Sequence, residues 1–191
     1  MYHYFDGEKH LHGLLSDQVY FMRALLDAFE ATQHKKYIEY ADTIAKWCLE
    51  NLKDDKGFFD KPGKGIGNLA INNKPITENS VAAECFLRLA FFTGNEDYRK
   101  IAEETLAAFS FAYTNYGIHA AAFALALEKF LNFVEIKAPK EEIEKLMTWH
   151  EPRKMLLQTS EKGIFICSRG VCQKFSNYED FAKNFRTDVT N

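Results

Sequence analysis

Much that would announce a function is missing from this sequence of 191 residues. No stretch reaches the roughly 18 uninterrupted apolar residues that a membrane-spanning helix needs, so a membrane partner is not expected. The opening, MYHYFDGEKH, lacks the charged-then-apolar order of a secretory signal, and no asparagine stands in an Asn-x-Ser/Thr sequon. Basic residues are not in excess: 24 Lys and Arg against 27 Asp and Glu leave a net charge of -3, which argues against nucleic acid as a partner. GKGIGN (63–68) is glycine-rich but has no strand before it and no helix after it to make a phosphate cradle, and no G-x-S-x-G is present. Cysteine is sparse. Four cysteines without an export signal predict free thiols in a reducing compartment and a cytoplasmic location. No cofactor is implied.

What is abundant is apolar and aromatic. Hydrophobic residues make up 47% of the chain, with seventeen Phe and nine Tyr, enough for one good core. Five helical segments are predicted at 16–32, 35–52, 79–93, 96–114 and 117–132. The first, third and fifth are apolar nearly all round: VYFMRALLDAF, VAAECFLRLAFF and IHAAAFALALEKFL. The second and fourth are striped, by Tyr37, Ala41, Ile44, Cys48 and Leu52 in one and by Tyr98, Ile101, Ala102, Leu106 and Phe109 in the other. A helix apolar on every side must be enclosed by protein, whereas a striped one faces water. The expected order is inner, outer, inner, outer, inner.

A repeat supports that alternation. Residues 24 to 52 lie over 85 to 113 without gaps at a period of 61, with Leu26 on Leu87, Thr32 on Thr93, Tyr37 on Tyr98 and Ala41 on Ala102. The turn ATQHKKY thus matches FTGNEDY, in which Gly94 reads as a C-cap and Asn95 as an N-cap. Repeated helix pairs stack into arrays or rings. Between the second and third helices runs a long connection, 53–78, which is expected to be the most mobile part of the helical region because its Gly-Lys-Gly-Ile-Gly run has little to pack.

After residue 132 the pattern changes. FVEIK, KMLLQ and GIFIC read as short strands, the last two joined by the turn SEKG. Pro139 opens one helix, and Ser176 with Glu179 forms a capping box for another. The chain is therefore expected to be mainly α, with a helical region over 1–132 and a small α/β appendage over 133–191.

GLLSDQVYFMRALLDAFEAT, GFFD, NSVAAECFLRLAFFTGNEDY and the tail IFICSRGVCQKF resemble the C-terminal part of the thioredoxin-domain family once called DUF255, which includes the spermatogenesis-associated protein 20 relatives. The resemblance covers nearly the whole chain in order. It implies a six-hairpin α/α toroid similar to the N-acylglucosamine 2-epimerases, here as a partial toroid, with the thioredoxin-like domain and the first helix pairs lying outside this chain. It implies no firm reaction. Two departures stand out: Glu78 occupies the place of a family glycine before Asn-Ser, and of an Asp-Asp-Tyr-Ala helix start only Asp17 is kept.

In such toroids the ligand cleft lies where outer helices hand over to inner ones. That face would gather Asp17, Phe58, Phe59, Asp60, Glu78, Asn79, Ser80, Tyr116 and His119. Carboxylates and aromatic faces suit acid–base work on a sugar and stacking on its ring. His119 is then the candidate base with Glu78 and Asp17 as carboxylates, and Phe58, Phe59, Asp60, Asn79, Ser80 and Tyr116 are candidate ligand contacts. The plainer reading makes Asp17 and Asn79 or Ser80 helix caps and puts Phe58 and Phe59 in the core, so that KPITENS (74–80) is a helix start first and a cleft rim second.

His3, His10 and His12, with Asp6, lie in a polar N-terminus expected to be floppy and exposed rather than metal-binding. Cys167 and Cys172 resemble a family feature and read as a structural thiol pair, since zinc needs about four ligands and Cys48 and Cys85 sit among core-like neighbours. The function expected is a non-catalytic part of a larger carbohydrate-related protein. The alternative is an epimerase or isomerase acting on a hexose or N-acyl hexosamine. A homodimer, or a partner chain carrying the missing half of the toroid, is expected, and a sugar-like ligand is possible on the same reading.

Overall fold

The computed structural model describes residues 1–63 and 70–185. Among these the protein is mainly helical with small strand regions, and it divides into two units, Met1–Phe130 and Leu131–Asn191. Of the connection 53–78, expected to be the most mobile part of the helical region, residues 64–69 lie outside the described residues.

The first unit is built on helices α1 (Leu15–Thr32), α2 (Lys36–Asn51), α3 (Ile76–Thr93), α4 (Glu96–Ala107) and α5 (Ala120–Asn132). Burial follows the apolar periodicity in the first four. α1 buries Leu15, Val19, Met22, Leu26 and Phe29, spaced by three and four residues as one helical face requires. α2 buries Ala41, Ala45 and Cys48, and α4 buries Tyr98, Ala102 and Leu106. α3 is buried on every side, from Ile76 to Phe92.

The period of 61 reappears as matching local geometry. α1 ends on Gln33 at φ 56° and α3 on Gly94 at φ 73°, each donating its N–H to the carbonyl four residues back. Thr32 and Thr93 turn their hydroxyls onto Ala28 and Leu89 carbonyls at 2.6 Å, and each also accepts from the amide two residues on, His34 or Asn95, at 3.3 Å. Both pairs thus use one corner. The left-handed cap suits Gly94, whereas Gln33 adopts it against the steric penalty of a Cβ, with its side-chain amide donating to the Glu30 carbonyl.

Several expectations need correction. α4 stops at Ala107 rather than 114, and α5 starts at Ala120 rather than 117. Between them runs a turn and then a 3-10 segment, Tyr113–His119, in which Gly117 (φ 53°, ψ -128°) lies outside helical space. The N-terminus has regular structure, although His3 and His12 are exposed as expected. β1 (Tyr2–Phe5) and β2 (Lys9–His12) form a hairpin in which Tyr2 meets His12 and Tyr4 stacks on His10 at 4.7 Å. The Met1 ammonium donates to Gln18 Oε1 at 3.0 Å and fastens the hairpin to α1. Within the long connection, β3 (Lys53–Asp54) and β4 (Gly57–Phe58) make a second short hairpin.

The second unit carries a four-stranded sheet in the order β6-β5-β7-β8: β5 (Val134–Ala138), β6 (Lys154–Gln158), β7 (Ile164–Ser168) and β8 (Val171–Phe175). KMLLQ and GIFIC are therefore not a hairpin. β5 lies between them, parallel to β6 and antiparallel to β7. The parallel pair is bridged by helix α6 (Lys140–Thr148), as parallel strands require a crossover. Helix α7 (Tyr178–Asn184) is capped by Asn177, which accepts from the Asp180 amide, while Ser176 donates back to the Asp180 carboxylate. The capping box is thus shifted by one residue from the expected Ser176–Glu179 pair. One sheet face meets both helices in a core of Val134, Ile136, Ile143, Leu146, Leu156, Ile164, Ile166, Phe175 and Phe181. Cys167 and Cys172, expected as free thiols, are joined in a disulfide across β7 and β8.

Candidate functional site

The stretch expected to start a helix with Asn79 and Ser80 starts it earlier. Pro75 is the residue before the first turn of α3, with φ -69° and no side-chain cap. Asn79 and Ser80 therefore fall inside the helix, and neither caps it. The Ser80 hydroxyl donates to the Ile76 carbonyl at 2.6 Å. Asn79 does something else. Its Oδ1 accepts the Phe58 N–H at 2.7 Å, and its Nδ2 donates to the Phe58 carbonyl at 3.0 Å and to the Pro75 carbonyl at 2.9 Å. A buried amide has thus taken the place of a neighbouring strand for β4. The approach needs Gly57: at φ 101°, a Cβ there would stand 2.7 Å from Asn79 Oδ1.

This clamp positions the residues around it. Phe58 is fully buried and stacks on Phe86 with centroids 5.4 Å apart. Phe59 is half-buried, with the Lys74 ammonium 4.6 Å from its ring centroid. Asp60 braces the connection: its carboxylate accepts the Asn73 amide at 3.0 Å, and its carbonyl accepts the Leu15 amide at the start of α1 at 2.9 Å. Lys74 also pairs with Asp54. Burial alone would raise the Asp54 pKa, but Lys74, the Lys56 amide and Lys53 hold it below the usual carboxylate value.

The three candidate catalytic groups lie on three different elements. Asp17 lies in the first turn of α1 without capping it, and meets His3 Nδ1 at 3.0 Å. Glu78 is half-buried in the first turn of α3. His119 is exposed at the end of the 3-10 segment, rather than buried at a helix start. Among the described residues no hydrogen bond or ion pair joins any two of the three. Tyr116, half-buried, meets the Phe109 ring edge-on at 6.3 Å. Among the described residues no group of three or more His, Cys, Asp or Glu is placed to hold a metal, and no helix is long and apolar enough to cross a membrane.

Sequence reasoning missed a second cluster, inside a run read as apolar nearly all round. VAAECFLRLAFF contains Glu84 and Arg88, and both are enclosed. Arg88, with a side chain 2% exposed, pairs with Asp27 at 2.8 Å and Glu30 at 2.6 Å. Glu84 pairs with Lys129 of α5 at 2.9 Å and Arg23 of α1 at 3.6 Å. Burial alone would raise the Glu84 pKa, but Lys129, Arg23 and Arg88 together hold it below the usual range. The signal was present: a charge in an apolar helix is retained only if paired. Three cations and three anions balance here, which fits a fastening of α1, α3 and α5.

Free Cys48 and Cys85 are buried, and desolvation pushes Cys48 up to about 12 and Cys85 higher still, so both are poor nucleophiles. No protein-family model matches this chain, and no curated protein matches it in sequence.

Proposed function

We propose that the chain is a non-catalytic helical module, a partial α/α toroid of the kind the family resemblance implies, belonging to a larger carbohydrate-related protein and completing its wall against a second copy of itself. The carrying observation is α5. It is strongly apolar, yet it buries only Phe123 and Ala126 and leaves Leu125 73% exposed. Just before it, Phe111 is 97% and Ile118 87% exposed. Contiguous apolar surface of several hundred Å² is rare on soluble monomers and marks interaction sites. A standard interface covers ~800 Å² per partner, and Phe111, Ile118 and Leu125 would supply part of it. A net charge of only -3 puts little repulsion between two copies.

The catalytic alternative, a sugar epimerase or isomerase, has less support. It needs Asp17, Glu78 and His119 to work together, and Asn79, Asp60 and Ser80 are each engaged with backbone groups. Sedimentation velocity at micromolar concentration tests the module reading. A dimer is expected, shifted to a 22.1 kDa species by Leu125→Glu. A wild-type chain that is monomeric throughout the micromolar range would overturn the second copy as occupant.

A further inference from the structure

The four cysteines divide into two populations. Cys48 and Cys85 are buried inside helices, whereas Cys172 is exposed on β8, which has a strand neighbour on one side only. Cys167 stands directly opposite it on β7. Register puts the disulfide on one face with Phe165 and Lys174, while Ile164, Ile166 and Phe175 occupy the other face, in the core. The bond therefore lies on the face turned away from the core of its own unit.

The hairpin does not depend on the bond for its register. Arg169 and Gly170 at the tip have φ 49° and 77°, the paired left-handed conformations of a tight two-residue turn whose twist suits antiparallel strands. At the other end, Phe175 and Ile164 are paired and buried. Turn and core together fix the ladder, and the disulfide closes a separation of only five residues between them. So short a loop restricts the unfolded chain less than a long one would. Lys174 lies two residues beyond Cys172 on the same face, where its positive charge favours the approach of a thiolate to that exposed sulfur.

We propose that Cys167–Cys172 is a thiol–disulfide exchange site whose partner is a dithiol. A thiolate of the partner attacks the exposed Cys172 Sγ. The intramolecular S–S bond breaks as a mixed disulfide forms, and Cys167 leaves as a thiolate that takes a proton. The partner's second thiol then attacks its own sulfur in the mixed disulfide and releases Cys172. Two electrons and two protons pass to the hairpin, and the partner is oxidised to its disulfide.

The test treats the full chain with dithiothreitol at neutral pH without denaturant, then alkylates with a polymer-linked maleimide that adds measurable mass per thiol. Cys167 and Cys172 are expected to label within minutes, with Cys48 and Cys85 silent until the chain is unfolded, and the far-ultraviolet circular dichroism unchanged. Oxidised glutathione should restore the bond. The single variant Cys167→Ser should collect one glutathione on Cys172 under native conditions. Reduction that requires denaturant would overturn the proposal. So would loss of the strand signal on reduction, or failure of the double variant Cys167→Ser, Cys172→Ser to fold, because either would make the bond a structural staple.

Discussion

α3 and α5 read alike as sequence, two apolar helices with a charge or two, but the molecule treats them oppositely. α3 is enclosed on all sides, whereas α5 buries little more than Phe123 and Ala126. The difference lies in their neighbours. α3 is flanked by α1, α2 and α4, and at its start it also receives β4 through the Asn79 clamp. α5 is fastened to α3 by the Lys129–Glu84 pair and carries Tyr113 stacked on Phe123 at 5.6 Å. Apolarity all round states a demand for cover. It does not say that the same chain provides it.

The comparison breaks first at Phe86. Phe86→Ala, in the middle of α3, removes a ring stacked on Phe58 and in contact with Tyr98, and should cost about 3–5 kcal/mol in urea unfolding. A loss below about 1 kcal/mol would mean that α3 is not the centre of the unit. Asn79→Ala comes next. It leaves the Phe58 N–H and carbonyl buried without their partner, and an unsatisfied buried group costs about 1–3 kcal/mol. The same variant should speed hydrogen exchange at the Phe58 amide of β4 without a matching change across α3. Unchanged exchange there would sink the clamp.

How much of this was legible follows from where each partner lies. The stripes of α2 and α4 and the corner shared by Gln33 and Gly94 were readable because their partners are three to five residues away. Asn79 was misread because Asn-Ser ahead of an apolar run mimics a cap, while its partner, Phe58, is 21 residues upstream. β6 and β7 look like a hairpin around SEKG, and only the sheet order shows β5 between them. VCQKF was not read as a strand, since an edge strand exposed over most of its length has no apolar pattern to show. Glu84 and Arg88 were visible all along and were absorbed into the apolar run. The disulfide could have been found. A two-residue turn at Arg169-Gly170 sets position 167 opposite 172, and C-x4-C has that spacing.

Acid should loosen α5 before α3. The Glu84 pKa is held below its ordinary value of 4.5 by Lys129, Arg23 and Arg88, against burial. A carboxylate depressed in the folded state adds stability that is fully present above its unfolded pKa and is lost as pH falls through the folded one. The window is therefore below about pH 4.5. Glu84→Gln should flatten the acid limb of stability and destabilise the chain at neutral pH, because Lys129 would be left enclosed without its counter-charge. The companion observation is hydrogen exchange in α5 rising as pH is lowered through that window, after correction for intrinsic rates. An acid limb equally steep in the variant would assign the pH dependence to other carboxylates.

The smallest expected effect on stability is at Leu125, and it tests the comparison most directly. The side chain is 73% exposed, so truncation to Ala removes little buried area and leaves no cavity. Alanine is also the best helix former, which offsets part of any loss. In dilute protein Leu125→Ala should therefore change unfolding by no more than about 0.5 kcal/mol, the range of ordinary surface positions. Association responds differently, because a leucine side chain buried between two copies contributes about 1.5–3 kcal/mol each time it is covered, and a two-fold interface covers it twice. The dimer dissociation constant should thus rise at least tenfold, while the unfolding midpoint measured below that constant stays in place. A Leu125→Ala variant that unfolds more easily as a dilute monomer would show that α5 is already covered within the chain, and the contrast with α3 would then be one of degree.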